Sequence, residues 1–290
     1  MPLRVVLDSN CFHRDTFELL ANSPMRSLCR RGSVVAIYPD VVIKEVVRAY
    51  GRERRREALL QQWIPFVRET YGELKDDLVT VWHSEVIQNL GRKANPNLSP
   101  SSIRQIFENI GRAPLDGSWQ IWDEVQPDLD LEDQSRDAVH ELFKATRVEW
   151  KSVRHLASLY LAAAGAARLT GHYEDAVDYL GRTILTTRLK SSNPNAIAMR
   201  WSSAKSRYPY YTESMRGFVY SMIEPAARPN TALDRNALAD VKVMVHLHDA
   251  HVVVSNEAKF FARAFGALWR PRGKVLMSVE QFVGHLKKMA

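Results

Sequence analysis

Cysteine is almost missing from this chain of 290 residues, which has two, Cys11 and Cys29. Two thiols cannot build a disulfide framework or a zinc knuckle, so the expected setting is a reducing, cytoplasmic one. Long apolar runs are missing as well. The longest, between His155 and Arg168, holds about 12 residues, and a membrane-spanning helix needs about 20. Three apolar residues between Arg4 and Asp8 are too few for a signal-peptide core, and a soluble protein is expected. Nor is the chain poor in core material. Hydrophobic residues make up 46% and charged residues 25%, which excludes a disordered or fibrous chain.

What is present is a modest excess of base. Lys and Arg number 40 against 33 Asp and Glu, a net charge of +7 that favours a polyanionic partner without specifying one. The excess is uneven. Arg48 to Arg56 holds five Arg and one Glu, whereas Trp122 to Glu141 holds eight acidic residues opposed only by Arg136.

Both ends of the chain alternate strand and helix. Arg4 to Leu7 is a β-branched run that stops at Asp8-Ser9-Asn10, as a buried parallel strand does. A helix is expected from about Thr16 to Arg30 and a strand over Ser33 to Tyr38. Pro39-Asp40 then opens a helix that carries Glu45 among Val42, Ile43, Val46 and Val47. Near the C-terminus a helix from Leu238 to Leu247 contains Asp240, and the strand His251 to Val254 stops at Ser255-Asn256-Glu257. A helix from Ala258, a strand from Lys274 to Met277 and a helix from Val279 to Lys288 follow. This alternation predicts an α/β fold, a three-layer sandwich around a central parallel sheet, with functional groups at the carboxyl ends of the strands. Residues 1–57 and 229–290 would form that domain. Residues 58–228 read as a mostly α-helical insertion with turn signals at Asn95-Pro96, Gly111 to Pro114, Pro127, Gly171 and Asn193-Pro194. Within it, His155 to Arg188 resembles a single tetratricopeptide unit, though two helices turning at Gly171 explain it equally well.

Four carboxylates fall where such a fold gathers side chains: Asp8, Glu45, Asp240 and Glu257. Clustered carboxylates resist joint ionisation unless a cation neutralises them. All-oxygen donors of this kind suit Mg²⁺ or Mn²⁺, ions that serve phosphodiester hydrolysis. In order and spacing, Val6-Leu7-Asp8-Ser9-Asn10, Tyr38-Pro39-Asp40 through Glu45, Asn236 through Asp240, and Val252 through Glu257 resemble the four motifs of PIN-domain nucleases. Val275 through Phe282 is similar to that family's closing strand and helix.

The resemblance implies a metal-dependent endoribonuclease acting on single-stranded RNA, with DNA a possible substrate. It makes Asp8 and Asp240 primary metal ligands, places Glu45 on the metal directly or through water, and has Glu257 orient water or a second ion. Asn10, Ser255 and Asn236 would support that centre by hydrogen bonds. Arg48, Arg52, Arg55 and Lys259 would meet the nucleic-acid backbone. A protein regulator such as an antitoxin is a further implied partner, and a homodimer is one open state. Glu257 departs from the family's usual Asp and is one methylene longer, which leaves a slow or inactive relative, with an insertion that binds protein or nucleic acid, as the alternative.

Other readings compete with this one. A haloacid-dehalogenase phosphatase also begins with Asp after its first strand, but needs a second Asp where Asn10 stands. Asp8 alone could cap a helix. Asp249 reads as a turn cap, His246, His248 and His251 as surface residues, and Cys11 as a small core residue. Trp201 to Tyr220 interleaves aromatic and basic residues, which suits either base stacking or buried packing.

Overall fold

A computed structural model describes residues 1–52, 58–88, 95–105, 171–187, 192–228 and 234–290, together with scattered helical positions between 108 and 145. Its centre is a five-stranded sheet made of β1 (Leu3–Leu7), β2 (Val34–Tyr38), β3 (Tyr71–Leu74), β4 (Val252–Val254) and β5 (Val275–Met277). The order is β3-β2-β1-β4-β5 and every pairing is parallel. Val5, Val6, Leu7, Val253 and Val254 are wholly buried. Strands covered on both faces cannot alternate apolar with polar residues, so their sequences are unbroken apolar runs.

Helices around the sheet among the described residues include α1 (Arg14–Ala21), α2 (Met25–Arg30), α3 (Asp40–Arg52), α4 (Ile64–Thr70), α5 (Leu78–Trp82), α6 (Gly171–Thr187), α7 (Pro194–Ser203), α8 (Pro209–Ala227), α9 (Ala237–Val245), α10 (Phe260–Leu268) and α11 (Val279–Met289). Helices α1, α2, α4 and α11 pack among themselves, while α9 packs with α3, α8 and α10. Two helical groups about one parallel sheet are compatible with a three-layer sandwich. No helix among the described residues is long and apolar enough to cross a membrane.

Two expectations are corrected. The helix expected over Thr16 to Arg30 is two helices, because Pro24 stands between α1 and α2 and cannot donate the hydrogen bond that would join them. The stretch from residue 58 onward, expected as a mostly helical insertion, also supplies a strand to the sheet: Tyr71–Leu74 is an edge strand, paired with β2 across a register shift between Ala36 and Ile37. Of the tetratricopeptide-like segment, Gly171–Thr187 is helical, and residues 151–170 lie outside the described residues.

Helix α9 is set close to α8 at Gly217, where an added Cβ would stand 2.3 Å from Val241 Cγ1. A side chain there would push α9 away, and α9 carries Asp240. Helix α11 opens with a capping box in which Ser278 accepts from the Gln281 amide and Gln281 accepts from that of Ser278.

Candidate functional site

Strand order reverses between β1 and β4, and in open parallel sheets a crevice opens at the carboxyl ends of such a pair. Leu7 pairs with Val254, so Asp8 and Ser255 leave the sheet side by side. The Asp8 amide completes the ladder by donating to the Val254 carbonyl at 3.1 Å. The Asp8 side chain is then fixed by three donors. Its Oδ1 accepts from the Ser9 amide at 2.8 Å, capping the short turn Ser9–Phe12. Its Oδ2 accepts from Asn10 Nδ2 at 2.6 Å and Ser255 Oγ at 2.8 Å. Asn10 Nδ2 also donates to Ser255 Oγ, and Asn10 Oδ1 accepts from the Asn256 amide, which ties the ends of β1 and β4 together. Asp8 is 5% exposed. Burial, with Glu45 and Glu257 adding to it, pushes its carboxyl up to about 7 against the lowering effect of the Ser255 and Ser9 hydrogen bonds.

Asp240 lies in the first turn of α9, where the helix dipole favours a carboxylate. That is not enough to hold its charge. Burial first, then the charges of Asp8, Asp234, Glu45 and Glu257, drive its carboxyl well above the usual range. Its Oδ2 is buried and has no hydrogen-bond partner among the described residues. The structure therefore brings Asp8, Glu45, Asp240 and Glu257 into mutual electrostatic range from four separate segments.

The remaining expected residues occupy mixed positions. Glu257 is half-buried, and its Oε1 accepts from the Lys259 amide at 2.8 Å, so the longer side chain folds back onto its own turn. Glu45 Oε1 is held at 2.9 Å by Arg136 Nη2. Asn236 precedes α9 and its carbonyl accepts from the Asp240 amide, but its side chain makes no capping hydrogen bond. Among the described residues no three His, Cys, Asp or Glu side chains stand in a metal-ligating arrangement. The donor set is nonetheless one a hard divalent cation fits: oxygen donors only, two with ionisation suppressed, and one buried oxygen without a partner.

Beside the carboxylates lies a cleft of about 310 Å³ lined by Ser9, His13, Glu45, Arg48, Arg136, Arg235 and Asn236, among others. Arg136 and Arg235 are functional candidates that pattern reasoning passes over. Arg136 was visible as the lone cation of the acidic stretch, but its pairing with Glu45, 91 residues away, leaves no local periodicity. Arg235 pairs with Asp137 at 2.6 Å, a second tie from that stretch to this edge. Of the expected backbone-contacting residues, Arg48 is buried yet lines the cleft, and Lys259 is exposed. Arg52 ends helix α3, and Arg55 lies outside the described residues.

Trp201, Tyr208, Tyr210, Tyr211 and Tyr220 are all buried, with Trp201 edge-on to Tyr211, so these rings form core rather than a stacking platform. His246 is not a surface residue: it is buried against Tyr210, and burial together with nearby Lys75 pulls it down to about 3, leaving it neutral. Asp249 does more than cap a turn, since it accepts a hydrogen bond from the Tyr210 hydroxyl. Cys11 is buried and donates to the Val254 carbonyl, with its thiol raised by burial.

Comparison of the chain with protein-family models, with curated proteins and with solved structures finds no match.

Proposed function

We propose that this chain is a metal-dependent nuclease of the PIN-domain type that hydrolyses phosphodiester bonds in single-stranded nucleic acid, RNA before DNA. One observation carries the reading. Carboxylates from the ends of β1 and β4 and from α3 and α9 come within electrostatic range of Asp8 and Asp240 where strand order reverses, and a buried Asp240 oxygen there has no partner among the described residues. A fold does not keep mutually repelling buried carboxylates for stability, since each raises the cost of ionising the next. Asp8 and Asp240 would hold the cation, with Glu45 and Glu257 at its margin. When bound, a divalent ion supplies charge compensation and Lewis-acid activation for attack at phosphorus.

The protein's own groups set the stage for that chemistry. Ser9, Asn10 and Ser255 fix the Asp8 carboxylate in one orientation, and the Gly217 contact fixes the helix bearing Asp240. The arginine-lined cleft beside them has the charge to receive a phosphate.

Incubating the protein with labelled single- and double-stranded RNA and DNA plus Mn²⁺ tests the reading. Single-stranded RNA is expected to be cut by the wild type and spared by Asp240→Asn. Equal behaviour of the two proteins on every substrate would sink it, and would leave an inactive relative whose insertion binds a partner.

A further inference from the structure

We infer that Arg136, a residue of the helical insertion, is a substrate-phosphate contact of the split α/β domain, parked on Glu45 when no nucleic acid is bound. The inference rests on the proposed function, because it takes single-stranded nucleic acid as the ligand.

Its position is the first reason. Between Trp122 and Glu141 the chain carries eight acidic residues and this one cation. That cation is the one that reaches the candidate site, while its neighbour Asp137 turns to Arg235. An arginine needed only to neutralise its own acidic stretch would pair within it.

Its bonding is the second reason. A guanidinium presents five N–H donors in a rigid fork. Among the described residues, Arg136 has one ion-pair partner, a single Glu45 oxygen at 2.9 Å, and its side chain is 17% exposed to the cleft that it lines. Donors are thus left over on the side where solvent and ligand enter. A phosphodiester offers the fork two acceptor oxygens at the spacing of a carboxylate, so exchange from Glu45 to phosphate gains a second charge-assisted bond. Arg48 and Arg235 line the same cleft, so the phosphate would enter a wall of three guanidiniums.

The test is binding of a fluorescein-labelled single-stranded RNA 12-mer to the full chain in EDTA, followed by anisotropy across a salt series. Arg136→Ala is expected to weaken binding about tenfold and to lower the slope of log affinity against log salt by about 0.7, one phosphate contact on a single strand. Arg136→Lys, which keeps the charge but lacks the fork, should keep the salt slope while losing part of the affinity. Glu45→Gln, which frees the guanidinium, should tighten binding two- to threefold, a gain that disappears in the double variant with Arg136→Ala. A merely structural Arg136 would instead give an unchanged slope and no gain from Glu45→Gln, and that result overturns the proposal, as does a wild type that fails to bind the oligonucleotide. Cleavage with Mn²⁺ is scored separately. Binding that depends on Arg136 without any cleavage keeps this contact and removes the nuclease reading, whereas cleavage with Arg136-independent binding does the reverse.

Discussion

Two regions of this molecule bury several charges each, and they solve the problem in opposite ways. On the flank bounded by β3, Lys75 is 1% exposed, yet its ammonium donates to Glu73 at 2.6 Å and to Asn97 at 2.8 Å and lies 3.7 Å from Asp249. Arg4 donates to the other Glu73 oxygen and to the Asp249 carbonyl, and the Tyr210 hydroxyl donates to Asp249. Burial alone would raise the Glu73 carboxyl, but Lys75 and Arg4 overcome it and hold it below the ordinary carboxylate range. At the end of β1, by contrast, carboxylate faces carboxylate and the same burial drives Asp8 and Asp240 upward. Buried charge by itself therefore marks no site. Buried carboxylates raised by one another are the stronger candidate.

Substitutions can break that contrast, and the compensated cluster should suffer most. Lys75→Met leaves the half-buried Glu73 and Asp249 without their ammonium and should cost about 3 kcal/mol, read from the midpoint of urea unfolding. A cost below about 1 kcal/mol would mean that the cluster is not held by charge pairing. Asp240→Asn should act the other way. Removing one of several repelling carboxylates should stabilise the metal-free protein by about 1 kcal/mol while cutting nuclease turnover roughly a hundredfold or more. A loss of stability together with unaltered turnover would place Asp240 in the compensated class.

External compensation can be supplied directly. Mn²⁺ at about 100 times its dissociation constant should add about 2.7 kcal/mol and raise the melting temperature by about 5–10 °C. The rise should vanish in Asp8→Asn, and a rise that survives there would locate the cation elsewhere.

The smallest effect comes from Glu85, an intermediate case. It is buried, and its oxygens accept the Tyr210 and Tyr211 amides at the start of α8, so dipoles rather than a cation face it. Burial raises its carboxyl from 4.5 to about 7 in the folded protein, the two amides opposing. A group raised on folding contributes stability that is fully present below pH 4.5 and lost as pH climbs to about 7. Glu85→Gln should flatten the decline of melting temperature over that window by about 3 °C, and parallel curves for the two proteins would refute it.

The sheet was legible where its strands are central. Val5 to Leu7 and Val252 to Val254 are buried on both faces, so their apolar runs announce them, and the polar residues just beyond mark the site. Tyr71–Leu74 was not legible. An edge strand of four residues with Gly72 in it has no such run and owes its conformation to β2. The carboxylates could be read because each lies just past an apolar strand or in a helix that flanks one. Arg136 and Arg235 could not, since their partners lie 91 and 98 residues away, and the Lys75 cluster draws in Arg4, which is 69 residues from Glu73 and 245 from Asp249.

The pairing of β1 with β4 also sets a timetable. Asp8 leaves the ribosome early, but Ser255, which orients it, follows 247 residues later, and at roughly 5–20 residues per second that interval lasts tens of seconds. Throughout it β1 lacks β4 as a neighbour and the carboxylate centre is incomplete. Contacts of such sequence separation also form slowly, because closing the loop precedes any reward for closing it. On the proposed reading, the nascent chain lacks a complete carboxylate centre until Asp240, Ser255 and Glu257 have all been added.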